Sequence, residues 1–117
     1  ATVVSAFAPD VNLWGAVGKR ADGMFELKLS LNQPPAELAF TFWHELGHLV
    51  RHGATKAIDA PGIGLDTVDY MPDQEQREHM RAFLVKREHE ADDYAVMAAR
   101  AFESAAGMTL ERYLFGG

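Results

Sequence analysis

The sequence predicts an α+β fold, a small N-terminal β-sheet packed on two main helices, within one domain spanning residues 1–117. Three observations carry that expectation. Residues 25–31 alternate apolar and polar, the period of two that a half-buried strand imposes. From Ala39 to Val50 the apolar residues recur at helical spacing behind a Pro-Pro pair. From Asp73 to Ala105 there is neither Gly nor Pro, the two residues least compatible with a helix interior.

Taken in order, Thr2 to Ala8 is an apolar, Val-rich run expected as the first strand, and Asn12 to Gly18, with Gly in its interior, is the second. Asp22-Gly23 supplies the turn into the third. There Phe25, Leu27, Leu29 and Leu31 share one face, and Glu26, Lys28 and Ser30 face out. Were this strand the exposed edge of the sheet, an extended peptide could pair with it. Asn32-Gln33-Pro34-Pro35 then changes the period: Asn can cap a helix and Pro suits its first turn, so a helix begins near Pro34 or Pro35. Ala39, Phe42, Trp43, Leu46, Leu49 and Val50 form its apolar face, and Gly53 marks the exit. The stretch from Gly53 to Pro72 carries three Gly and two Pro and reads as irregular, a loop that could cover a site beside it. Beyond it, Met80, Phe83, Leu84, Ala91, Ala95 and Phe102 fit one helical face, on either one long helix or two in tandem. Thr109 to Leu114 is a short terminal turn expected to fold back on the core.

Composition removes several function classes. At 48% hydrophobic and 24% charged, the chain has the make-up of one globular domain, and no apolar stretch approaches the roughly 20 residues needed to span a bilayer. Ala1-Thr2-Val3-Val4 lacks the basic leader and small-residue cleavage site of a signal peptide. Cysteine is absent, which excludes disulfides, thiolate metal ligands and thiol catalysis and fits a reducing, cytoplasmic setting. The net charge is −6, with eleven Lys and Arg against seventeen Asp and Glu, the opposite of a phosphate-neutralising surface. Arg77, Arg81, Lys86 and Arg87, the densest basic group, are interleaved with Glu75, Glu78 and Glu88 and read as a solvated helix face. No direct nucleic acid partner and no membrane partner is expected.

The chemistry lies in His44-Glu45-Leu46-Gly47-His48, an HExxH motif inside the first helix. Residues four apart share a helix face, so both imidazoles can point at one metal, while Glu45, one step round, reaches water at that metal rather than the ion. Shuffled chains with five His and nine Glu would produce the motif roughly once or twice in a hundred tries, so its helical setting matters. A catalytic zinc site takes a third protein ligand and leaves a position open. Glu88-His89-Glu90-Ala91-Asp92 offers it, with Glu88 the first choice, Glu90, expected toward solvent, the second, and His89 the third. Glu88 and Asp92 are four apart and share a face, so one can ligate while the other orients a ligating imidazole through its second nitrogen. Ala91, Ala95 and Ala99 lie along the same side, small enough for a close approach of the two helices. The plainer alternative is that Glu88, Glu90, Asp92 and Asp93 form an acidic helical surface.

HExxH followed by a helical ExxxD resembles the gluzincin metallopeptidases, and more narrowly the ImmA/IrrE family. The likeness runs from Leu29-Ser30-Leu31-Asn32 through Phe40-Thr41-Phe42-Trp43-His44-Glu45-Leu46-Gly47-His48-Leu49-Val50-Arg51-His52-Gly53 and resumes at Glu88-His89-Glu90-Ala91-Asp92-Asp93-Tyr94-Ala95. The resemblance implies a zincin-like minimal metallopeptidase domain with Zn2+ as cofactor and Glu88 as third ligand. It also implies a protein substrate, typically a helix-turn-helix repressor of a phage, mobile element or stress regulon.

The expected site is therefore His44, His48 and Glu88 on zinc, Glu45 as general base and Asp92 supporting a ligand. Tyr70, His79, Tyr94 and His52 are the conceivable donors to a tetrahedral oxyanion. His52, at helical spacing from His48, is otherwise explained as a histidine favoured by the helix C-terminal dipole. The rival class is a catalytically inactive binding or regulatory module of the same fold. Intact Glu45 argues against it, since a purely structural site needs no base and usually has four protein ligands.

Overall fold

Strand β3 (Phe25–Ser30) is the centre of a three-stranded sheet in the computed structural model, which describes residues 2–7, 14–53 and 68–116. It pairs in parallel with β1 (Thr2–Phe7) and antiparallel with β2 (Gly15–Lys19), giving the order β1-β3-β2. Of the two readings of this strand, exposed edge or ordinary half-buried strand, the edge is excluded: its hydrogen-bonding groups are taken on both sides, and the outer edge beside the helices belongs to β2. Asn12 and Leu13 of the expected second strand lie outside the described residues, as does Ala8 of the first. The β2–β3 turn forms at Asp22-Gly23, where Gly23 takes φ 85° and Asp22 Oδ1 accepts from the Met24 amide.

The period of two places Leu27 and Leu29 in the core. Leu31 is exposed because the strand ends one residue earlier, and Ser30, expected to face out, is buried. Its hydroxyl accepts from the Asn32 amide at 3.1 Å and so turns the chain toward the first helix. Across the sheet, the Ser5 hydroxyl donates to Glu26 Oε1 at 2.9 Å.

Helix α1 runs Pro35–His52 with Pro34 at the N-cap position and no side-chain cap, so Asn32 does not serve as the cap. Gln33 organises the start instead: its amide nitrogen donates to the carbonyls of Trp14 and Ser30, and its carbonyl accepts from Thr41 Oγ1 at 2.8 Å. Gly53 ends the helix at φ 73°, its amide donating to the Leu49 carbonyl. Residues 54–67, most of the stretch expected to be irregular, lie outside the described residues. A 3-10 turn at Val68–Tyr70 buries Val68 and is tied to the next helix by an Asp69–Arg81 ion pair.

Helix α2 is one continuous 33-residue element, Gln74–Ala106, which settles the question of one helix or two. Asp73 caps it by accepting from the Gln76 amide, and Gly107 ends it in the left-handed conformation. Its small residues face α1: Ala91 and Ala95 are fully buried, and a Cβ at Gly47 of α1 would lie 3.0 Å from the Ala91 carbonyl oxygen. Glycine at position 47 therefore sets how near the two helix axes come, and that spacing decides whether a carboxylate on α2 reaches the imidazoles on α1. Helix α3 (Leu110–Phe115), capped by Thr109, returns to α1 and α2, with Phe102 between Trp43 and Tyr113. Among the described residues, no helix is long and apolar enough to cross a membrane.

Candidate metal centre

α1 presents His44 and His48 on one face, and α2 crosses it so that Glu88 meets both. His44 Nε2 lies 2.9 Å from Glu88 Oε2, His48 Nε2 lies 3.1 Å from Glu88 Oε1, and the two Nε2 atoms are 3.1 Å apart. Two ring nitrogens and the two oxygens of one carboxylate thus converge, and His44, His48 and Glu88 form a group that can hold a metal ion.

The remaining ring nitrogens indicate what belongs at that point. His44 Nδ1 is 2.7 Å from Asp92 Oδ1, and an ionised carboxylate only accepts, so the His44 ring carries its proton on Nδ1. The two Nε2 atoms face each other at 3.1 Å, and each also lies within hydrogen-bond distance of a Glu88 oxygen. Two bare lone pairs at that distance would repel, so the contact calls for a proton on at least one of the two nitrogens or for a metal ion that takes both. Asp92 thus stands at the second nitrogen of His44, where a carboxylate can orient the ring.

Without metal the proton takes that place. The Glu88 carboxylate beside it raises the His44 pKa from 6.5 to about 9, with Asp92 adding to the effect and burial opposing it. Glu88 moves the other way, held well below the usual carboxylate range by its hydrogen bonds to His44 and His48. Glu45 is buried, and that burial raises its pKa against the counter-pull of His48 and His44. A carboxyl shifted upward in this way is a better proton acceptor than an exposed one.

The sign of the resulting pH dependence follows from His44. Its folded-state pKa is raised, so its contribution to the metal-free fold is complete below pH 6.5 and is lost as pH rises through about 9. Discounted for the half-exposed Glu88 partner, that contribution is about 1–2 kcal/mol. The metal-free protein is expected to melt about 4–8 °C lower at pH 9 than at pH 6.5, measured by circular dichroism in chelator. A midpoint that is level or rising over this interval would contradict the His44–Glu88 pairing.

The cluster opens into a cleft of about 400 Å³ lined by Trp14, Gly15, Phe40, Thr41, His44, Glu45, Glu88 and Asp92. β2 begins at this cleft, and a Cβ on Gly15 would fall 2.6 Å from Thr41 Cγ2 and 3.0 Å from Glu45 Cγ, so strand and helix touch at the base. None of the four conceivable oxyanion donors lines it. Tyr70 and His79 are exposed, Tyr94 packs near Gly47 in the helix interface, and His52 is engaged behind His48. His89, the third choice of ligand, is exposed, and Glu90, expected toward solvent, instead pairs with His52 at 3.3 Å. That His52–Glu90 contact is the feature sequence reasoning missed; the four-residue spacing of His48 and His52 was its signal. No protein-family model, curated protein or solved structure matches the chain.

Proposed function

We propose that the chain is a zinc-dependent endopeptidase domain of zincin-like fold, of the kind the ImmA/IrrE resemblance implies. In this reading His44, His48 and Glu88 bind Zn2+, Glu45 is the general base and Asp92 positions His44. The observation that carries it is the convergence of the two Nε2 atoms and the Glu88 carboxylate. Tetrahedral zinc with ligands at about 2.0–2.1 Å places neighbouring ligand atoms about 3.3 Å apart. The two Nε2 atoms are 3.1 Å apart, close to that spacing, and Glu88 brings Oε2 to 2.9 Å from His44 and Oε1 to 3.1 Å from His48, so its carboxylate is within reach of the same ion. Two imidazoles and one carboxylate are also a donor set suited to zinc, whereas calcium and magnesium favour all-oxygen shells. With three protein ligands, a coordination position is left for chemistry.

Bound zinc would supply a Lewis acid that polarises a scissile carbonyl and acidifies water. Glu45, buried at the cleft floor with a raised pKa, takes the proton of the attacking water and returns it to the leaving amine. Asp92 holds the His44 ring in register. Among the described residues no strand pairs with the outer edge of β2, so an extended peptide can add there and pass over the cleft. The proposed substrate is a protein, with helix-turn-helix repressors the class the resemblance implies, in a cytoplasmic setting. The acidic surface disfavours direct action on nucleic acid.

Protein purified without chelator or a metal-binding tag is expected to carry about one zinc per chain. It is also expected to cleave a repressor substrate, to stop on zinc removal and to resume on zinc return. Zinc without cleavage of any repressor or unfolded protein would favour the binding module. Absence of zinc after reconstitution would overturn the assignment.

A further inference from the structure

Both candidate imidazole ligands use Nε2 toward the shared centre, and each is held from behind through Nδ1. For His44 the holder is Asp92. For His48 it is a two-step chain: His48 Nδ1 to His52 Nδ1 at 3.3 Å, then His52 Nε2 to Glu90 Oε2 at 3.3 Å. The proton count along this chain has one solution. If His48 gives its Nε2 lone pair to a metal, its proton must sit on Nδ1, which donates. His52 Nδ1 must then accept, so the His52 proton sits on Nε2, and that N–H needs an acceptor. Glu90 supplies one. His52 has only 9% of its side chain exposed, so water offers little alternative.

We propose that His52 is a positioning residue for the metal, a relay through which Glu90 fixes the tautomer and ring orientation of His48. It is the counterpart, one histidine longer, of what Asp92 does for His44. Partners of ligating histidines raise ligand basicity and stop ring rotation, and their loss costs about 10- to 100-fold in metal affinity. A histidine merely favoured by the helix dipole would need neither the Nδ1 contact nor the carboxylate. The relay rests on the zinc site proposed above.

The test is zinc affinity of the full chain, measured by chelator competition at one pH, together with melting of the metal-free form. His52→Leu is expected to weaken zinc binding about 10- to 100-fold and Glu90→Ala by less. The double variant is expected to be no weaker than His52→Leu alone, because Glu90 acts only through His52. His52→Asn keeps an acceptor near the Nδ1 position and is expected to recover most of the affinity. A merely structural His52 would lower the melting midpoint of the metal-free chain and leave zinc affinity unmoved. Affinity within twofold of wild type in His52→Leu, losses that multiply in the double variant, or His52→Asn as weak as His52→Leu would each overturn the relay. Should His52→Leu fail to fold, His52→Asn and Glu90→Ala carry the comparison. A wild-type chain that binds no zinc overturns the metal site and the relay with it, whereas wild-type binding with unchanged variants overturns the relay alone.

Discussion

Glu45→Gln is expected to retain about one zinc per chain and to lose peptide hydrolysis by about a hundred- to ten-thousand-fold, the range general acid–base catalysis contributes. The substitution is close to isosteric. The Glu45 side chain is packed beside the Gly15 backbone at the cleft floor, and an amide of the same shape preserves that packing. What the amide cannot do is accept a proton from water and release it to an amine. Because burial already works against the charged form of Glu45, a neutral Gln removes a desolvation cost, and the variant is expected to be at least as stable as wild type. Loss of activity together with unchanged zinc content and an equal or higher melting midpoint is therefore the specific signature. Metal analysis, thermal melting and single-turnover cleavage measure its three parts. Cleavage at the wild-type rate by Glu45→Gln would remove Glu45 from the mechanism.

The parts of the site that were legible in the sequence are those fixed by a single helix. His44 and His48 share a face because they are four apart, and Glu88 and Asp92 do so for the same reason, so each pair follows from helical geometry alone. That the pairs meet was legible only through residue size. The alanines on α2 implied a close crossing, and Ala91 and Ala95 are fully buried, with Gly47 set against Ala91. What depends on non-local pairing was not legible. β3 reads locally as a half-buried strand whether it lies at the edge or in the centre, and only its pairing with β1 on one side and β2 on the other places it. Ser30 is buried although its place in the alternation assigns it outward, because the strand ends there and its hydroxyl is used to start the turn. Glu90 was expected to be solvent-facing because it lies on a different side of α2 from Glu88. The last turn of α1 reaches that side, and its partner His52 is 38 residues away in sequence.

Glu88→Ala removes the one candidate ligand that comes from α2, and its effect on metal is expected to be the largest of any single change outside the HExxH motif. Structural zinc sites with four protein ligands bind with about 10–16 kcal/mol, so one ligand of a three-ligand site is worth about 3 kcal/mol, a loss of a hundredfold or more in zinc affinity. Asp92→Asn, which leaves all three ligands in place and disturbs only the ring behind His44, is expected to lose no more than about 10- to 100-fold. The order Glu88→Ala weaker than Asp92→Asn separates ligation from support. A second consequence appears without any metal. Glu88 is the largest cause of the raised His44 pKa, so in Glu88→Ala that pKa falls back toward its ordinary value. The decline in metal-free stability between pH 6.5 and about 9 should flatten with it, since no folded-state proton is then left to lose over that interval. The two readouts are independent: chelator competition tests whether Glu88 ligates, and melting in chelator tests whether it holds the proton that stands in for the metal. Zinc affinity preserved in Glu88→Ala would move the third ligand elsewhere on α2. An unflattened pH profile would instead mean that Asp92, at 2.7 Å from the same ring, holds the His44 proton by itself.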